Sequence, residues 1–216
     1  MLAYIHMIYP DIKLEEELWK EGYKYVVGLD EAGRGPLAGP VVAGAVVILG
    51  EDQVVSDVRD SKKMSEKKRE LAFVEIQKVS SACGVGIVSA SEIDTLGIQK
   101  AVQKAMIMAM EIVERKLGSK IDFVIADGEN ILSIPRYNMK KMNKGDLLHY
   151  SISAGSVLAK VTRDHIMYDY AKRFPEYGFD SHVGYGTKKH IEALEKFGAC
   201  DIHRRSFNPV SKFLKI

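Results

Sequence analysis

The chain has 216 residues, enough for one well-cored domain with a small appendage, and its 46% hydrophobic and 28% charged residues are ordinary for a globular protein. No stretch is apolar enough to span a bilayer, and Tyr4, His6, Tyr9 and Asp11 belong to no basic-then-apolar leader, so neither membrane nor signal peptide is read. Cys83 and Cys200 form no C-x-x-C and suggest no disulfide framework, which points to a reduced cytoplasmic setting, while a net charge of +2 argues only weakly for nucleic acid.

Residues 1–22 read as peripheral, with a short amphipathic helix around Leu14, Leu18 and Trp19 that Gly22 stops. Tyr25, Val26 and Val27 open a strand that delivers two adjacent acids, Asp30 and Glu31. The turn from Gly33 to Gly39 is so rich in glycine that its backbone must approach something closely or adopt positive φ. It is one residue off a dinucleotide fingerprint, and it leads into a strand over 41–48 rather than the helix that motif requires. Acids at a strand end, one arginine and bare amides suit a metal and a phosphate instead.

Ser65 reads as the N-cap of a helix running through Leu71, Val74 and Val79, followed by a strand over 83–88. A helix over 98–117 has apolar residues at Ile98, Val102, Ala105, Ala109 and Ile112, Gly118 as its stop, and Met106, Met108 and Met110 as core filler. The run 121–128 is a strand ending in Asp127, and 135–144 reads as a basic loop. A helix over 156–173 stops before Pro175. The tail holds Gly184-Tyr185-Gly186, a helix over 187–197, and Arg204-Arg205-Ser206-Phe207. This order argues for a mixed α/β sheet.

Charge is distributed unevenly. Residues 59–69 carry six basic side chains against two acids, 136–144 four against none, and 182–216 seven against three, each a surplus of +4. Such clusters can neutralise phosphates, although any one of them alone also suits a solvated helix face.

Four acids are candidates for chemistry. Asp30 and Asp127 each follow an apolar run and precede a glycine-containing turn, so adjacent strands in register would bring them together. Asp164 shares a helical face with Val157, Val161 and Tyr168, where a carboxylate is costly unless it is paired or binds metal. Glu31 converges with Asp30 only if the strand twists away at once, which Gly33 permits. Four carboxylates without clustered cysteine or histidine suit magnesium or manganese, two of which can clamp an in-line phosphoryl displacement. The alternative for Asp164 is an ion pair with a neighbouring Lys or Arg. His149, His165, His182, His190 and His203 are scattered and read as surface or packing residues, and Ser61 and Ser156 lack a nucleophile-elbow context.

The chain closely resembles the bacterial ribonuclease HII (type 2 ribonuclease H) family from about residue 25 to 207. The resemblance rests on Gly28-Leu29-Asp30-Glu31-Ala32-Gly33-Arg34-Gly35-Pro36-Leu37-Ala38-Gly39-Pro40, Asp60-Ser61-Lys62-Lys63 and Ala126-Asp127-Gly128. It continues with Ala159-Lys160-Val161-Thr162-Arg163-Asp164, Gly184-Tyr185-Gly186-Thr187 and His203-Arg204-Arg205-Ser206-Phe207. It implies a ribonuclease H-like mixed sheet flanked by helices over 1–180, with a small helical substrate-binding extension over 181–216. It implies cleavage of the RNA strand of RNA–DNA hybrids and incision 5′ to single ribonucleotides in duplex DNA, with water as nucleophile and 3′-hydroxyl and 5′-phosphate ends. Asp30, Glu31, Asp127 and Asp164 would be the catalytic metal ligands. Gly33, Arg34 and Gly35 would sense the ribose 2′-hydroxyl, Tyr185 would pack against the following nucleotide, and Lys63 would contact phosphate. Nucleic acid is then the partner; nothing demands an oligomer, so a monomer is expected, and no clamp-docking motif is read. Two departures stand out: Leu147-Leu148-His149 replaces an expected alanine and lysine, and Val183 replaces a residue that is often basic. A DNA-cutting nuclease of the same fold would have no use for a 2′-hydroxyl sensor. A binding module would not place four acids against phosphates.

Overall fold

The computed structural model describes residues 9–214, so residues 1–8 of the expected peripheral segment, and 215–216, lie outside the description. Five strands form one sheet: β1 (Val26–Ala32), β2 (Val41–Val47), β3 (Ala82–Val88), β4 (Phe123–Asp127) and β5 (Asn138–Met142), in the order β3-β2-β1-β4-β5. β2 pairs antiparallel with β1 and β3, whereas β4 runs parallel to both β1 and β5. Every residue of β2 is buried, as its unbroken apolar sequence requires for a strand covered on both faces.

The helices are α1 (Lys13–Lys20), α2 (Glu66–Val79), α3 (Ala90–Leu96), α4 (Ile98–Leu117), α5 (Gly145–Leu148), α6 (Tyr150–Arg173), α7 (Phe179–His182) and α8 (Lys188–Phe197). α3 and α4 cover one sheet face, burying Ile93, Val102, Met106 and Met110 against Val27, Leu29, Ala43 and Ala45. α2 and α6 cover the other, joining Ala72, Ile76, Val157 and Leu158 to Val46 and Cys83. A third cluster joins Leu37 and Met167 to Phe179, Leu194 and Val210, and the expected divide at 180/181 falls inside α7. Among the described residues no helix is long and apolar enough to cross a membrane.

α6 is packed unusually close to the sheet. A Cβ at Gly28 would collide with the Ser151–Ile152 backbone, and one at Gly44 with the Gly155 carbonyl. The missing side chains on β1 and β2 let the helix bring Ser156, Lys160 and Arg163 to the strand ends.

Two expectations need correction, and two further features go beyond the sequence reading. α6 begins at Tyr150, not at residue 156, because its start signal is remote: Glu15 of α1 accepts from the Ser151 amide (3.0 Å) and hydroxyl (2.6 Å), a carboxylate at a helix N-terminus. The basic loop contains β5, a short edge strand whose lysines discourage further pairing. α2 has the expected Ser65 cap, but Leu71 and Val74 face solvent and Ala72 and Ile76 hold the core. α3, which the sequence reading passed over, is held by a reciprocal cap between Ser89 and Glu92.

Candidate active site

β1 and β4 are in register with Leu29 opposite Ala126, so Asp30 and Asp127 follow at the same end of neighbouring parallel strands. Asp30, Glu31 and Asp127 line one cavity of about 260 Å³ with Gly33, Arg34, Gly35, Ser61, Lys62, Ser156, Lys160, Arg163 and Tyr185. Gly33 adopts φ 98°, and a Cβ there would strike the Arg163 side chain and the Pro40 carbonyl, so the chain turns where only glycine fits. A larger open hollow of about 540 Å³ lies among Glu111, Glu114, Lys120 and Arg136, but those charges pair with one another.

The carboxylates repel. Burial, and then the Glu31 charge, push the Asp30 carboxyl well above its ordinary range; Ser156 and the Glu31 amide (2.7 Å) oppose this. Burial also raises Glu31, against the pull of Arg34, whose Nη1 lies 3.1 Å from Glu31 Oε1. Glu31 Oε2 is buried without a hydrogen-bond partner. Burial works to lower the Lys62 ammonium, yet Asp30, Asp146, Asp60 and Asp127 outweigh it and raise its pKa. Ser61 and Ser156 share a buried hydroxyl pair at 3.0 Å beneath these groups.

Asp164 is not among the residues that line this cavity. It is buried on α6 and accepts from Lys160 Nζ at 2.8 Å, the ion-pair alternative raised by the sequence, with Lys160 rather than Arg163 as partner. Asp146 lies close enough to Asp127 and Lys62 to feel their charges. It is buried in α5, and its carboxyl is raised by burial and then by the charges of Asp127 and Asp60. Asp127 Oδ1 accepts from the Gly145 amide at 2.7 Å, which ties β4 to the turn carrying Asp146. Lys63 does not line the cavity; its neighbour Lys62 does.

The glycine turn is clamped from below by two buried arginines. Arg204 donates from Nε to Gly39 O (3.0 Å), from Nη1 to Arg34 O (2.9 Å), and from Nη2 to Gly33 O (2.5 Å) and Pro40 O (3.1 Å). Arg163 donates from Nε to Pro40 O (3.0 Å) and from Nη2 to Ala38 O (3.1 Å). Burial, reinforced by the charge of Arg163, pushes Arg204 down to about 9. Tyr185, 46% exposed, stands opposite Gly35, and its loop is joined to the turn by Leu37 N–H donating to Gly184 O at 2.8 Å. Val183 beside it takes φ 42°, a left-handed conformation that strains a β-branched residue.

The family model for ribonuclease HII matches residues 27–210. The chain belongs to the ribonuclease HII family. A ribonuclease HII of Geobacillus sp. strain WCH70 is 45% identical over 205 residues, covering 94% of this chain and 71% of that protein. The ribonuclease HII of Archaeoglobus fulgidus, solved in complex with PCNA, shares the fold at TM-score 0.71 and 24% identity, over 85% of this chain and 95% of that one. A Bst-RNase HIII solved with Mn2+ shares it at TM-score 0.63 and 16% identity, over 87% and 68%. Membership makes this protein an endonucleolytic hydrolase with ribonuclease H activity on RNA–DNA hybrids.

In this ribonuclease HII the acids fit a hard divalent ion. Like charges are held together against their own repulsion, and one buried carboxylate oxygen lacks a partner. Among the described residues no group of three His, Cys, Asp or Glu forms a ready metal cage, so water and substrate phosphate would complete the shell. Sequence reasoning did not single out Lys62, Lys160 and Ser156, which line the cavity, or Asp146, which lies near Asp127. Asp146 had the usable signal, a buried-looking acid beside Gly145 just after the basic segment. Of the histidines read as surface or packing residues, His182, His190 and His203 are buried and, though scattered in sequence, meet in space.

Proposed function

We propose that this ribonuclease HII incises duplex DNA on the 5′ side of a single embedded ribonucleotide as well as cutting hybrids, leaving 3′-hydroxyl and 5′-phosphate ends. The observation that carries this reading is that the clamped glycine turn and Tyr185 face each other across the same cavity that holds the carboxylates. A ribose reader and hydrolytic groups would thus line one cavity. Asp30, Glu31 and Asp127, with Asp146, would hold magnesium or manganese; the ion supplies Lewis-acid stabilisation of charge on the scissile phosphate. Lys62 and Lys160 bring positive charge to the backbone phosphates, Ser156 steadies Asp30, and residues 181–216 serve as the substrate-binding extension. Two free cysteines, one of them buried, suit the reduced cytoplasm.

The test uses a duplex with one ribonucleotide, an all-DNA duplex and a continuous hybrid, each with magnesium, manganese or chelator. Metal-dependent incision 5′ to the ribonucleotide, with the all-DNA duplex intact, supports the reading. Cleavage of the hybrid alone refutes it.

Arg34→Ala is expected to lower the preference for ribonucleotide over deoxyribonucleotide by about tenfold, the worth of one hydrogen bond to a charged group. Relative kcat/KM on matched duplexes measures this, and an unchanged ratio removes Arg34 from ribose recognition.

Asp146→Asn and Asp164→Asn separate the two candidates for the fourth acid. Asp146→Asn is expected to cut kcat by roughly 10²-fold or more, and Asp164→Asn by much less, since Asp164 acts through Lys160. The reverse order in single-turnover rates would return the role to Asp164.

A further inference from the structure

Beneath the Gly184-Tyr185-Gly186 loop, three buried histidines form a continuous train. The His182 and His190 rings stack with centroids 4.6 Å apart, and His190 and His203 lie at 5.2 Å. Phe179 meets His182 and His190 edge-on. No carboxylate is paired with any of the three among the described residues; Lys189 and Asp180 reach His182, the Cys200 thiol lies 3.1 Å from His203 Nδ1, and the Tyr177 ring packs on His203 at 4.9 Å.

The hydrogen bonds fix every proton. The Cys200 amide can only donate, and it donates to His203 Nδ1 at 2.9 Å, so the His203 proton sits on Nε2. That N–H faces His190 Nε2 at 2.9 Å, which must accept, so the His190 proton sits on Nδ1. His190 Nδ1 lies 2.9 Å from the Tyr185 carbonyl, which can only accept. Reasoning from either end gives the same tautomers. His182 is fixed in the same way: the Gly184 amide donates to its Nδ1 at 3.2 Å, leaving Nε2–H for the Tyr177 carbonyl at 2.9 Å.

We propose that His203 and His190 form a one-way hydrogen-bond relay from the Cys200 amide to the Tyr185 carbonyl, with His182 stacked on His190 and bridging Gly184 to Tyr177, and that this assembly sets the position of Tyr185 against the substrate, making the three histidines positioning residues for ribonucleotide recognition. The proposal rests on the reading of Tyr185 given above. An extra proton on His190 or His203 would set two donors face to face. Burial keeps both neutral, pushing each down to about 4. The relay anchors the backbone of Tyr185 while its ring remains free to meet a nucleotide.

The first test is histidine ¹⁵N–¹H long-range NMR on the full-length protein. We expect His190 as the Nδ1–H tautomer, His182 and His203 as Nε2–H, and neither His190 nor His203 titrating between about pH 6 and 8. His190 as Nε2–H, or titration of His190 or His203 near the ordinary histidine value, overturns the relay. The second test compares His190→Leu with His190→Asn, whose amide keeps an N–H for the Tyr185 carbonyl. His190→Leu is expected to raise KM for the single-ribonucleotide duplex by about tenfold with kcat little changed, and His190→Asn to restore most of it. Equal losses in both variants, or a loss in kcat alone, overturn the proposal. If the protein does not cut that duplex at all, the proposed function fails, while the tautomers still decide the relay.

Discussion

Asp30→Asn is expected to lower kcat by about 10³-fold or more while leaving hybrid binding as tight as before or tighter. The substitution keeps size and hydrogen bonding but removes the acid that burial and Glu31 most disfavour. One fewer negative charge then faces the backbone phosphates. Stability carries a second signature. A carboxyl raised in the folded protein holds its proton to higher pH than the same group in the unfolded chain. Stability therefore falls as pH rises from the ordinary carboxylate range through the raised value. In metal-free buffer the variant should melt above the parent near about pH 8, with the gap closing towards about pH 4. Added magnesium or manganese should raise the parent's Tm more than the variant's. Retained turnover in Asp30→Asn would exclude these carboxylates as the ion-holding group.

Gly44→Ala is expected to cost about 3 kcal/mol, the upper end of overpacking costs, because the added methyl meets backbone and not a side chain that can swing away. For a chain of this size that is a Tm drop of roughly 6–12 °C. The effect should reach the chemistry, since α6 carries Ser156, Lys160 and Arg163 into the cavity. A helix lifted from the sheet moves all three together. Thermal unfolding combined with kcat/KM measures both effects. A variant as stable and active as the parent would show that α6 does not depend on the close approach.

Much of the site was readable because its signals are local. Asp30, Glu31 and Gly33 sit in one short stretch, and the strand ending in Asp127 announces itself by an apolar run and a glycine. What failed was non-local. The start of α6 is written in Glu15, 136 residues before Ser151, and no local propensity at 150–155 could supply it. β5 has few apolar residues because an edge strand needs a partner on one side only. Asp164 is the buried acid expected and pairs with Lys160, and sequence criteria do not distinguish an ion pair from a ligand, which is the choice the Asp146 and Asp164 variants decide. The histidines lack sequence spacing because their contacts come from α7, α8 and the segment beyond.

The clamp on the glycine turn also orders events in time. Arg204 grips the Arg34 carbonyl across 170 positions of chain, so a ribosome has exposed Asp30, Glu31, Asp127 and Asp146 well before the guanidinium that fixes the turn exists. Contacts of such separation close late, because the loop entropy must be met before they form. On the function proposed above, the nascent chain thus acquires its acids before the clamp on its ribose-reading turn. If the turn reads ribose as proposed, selectivity belongs only to a chain long enough to include Arg204, and shorter synthesis products hold the acids without the fixed turn.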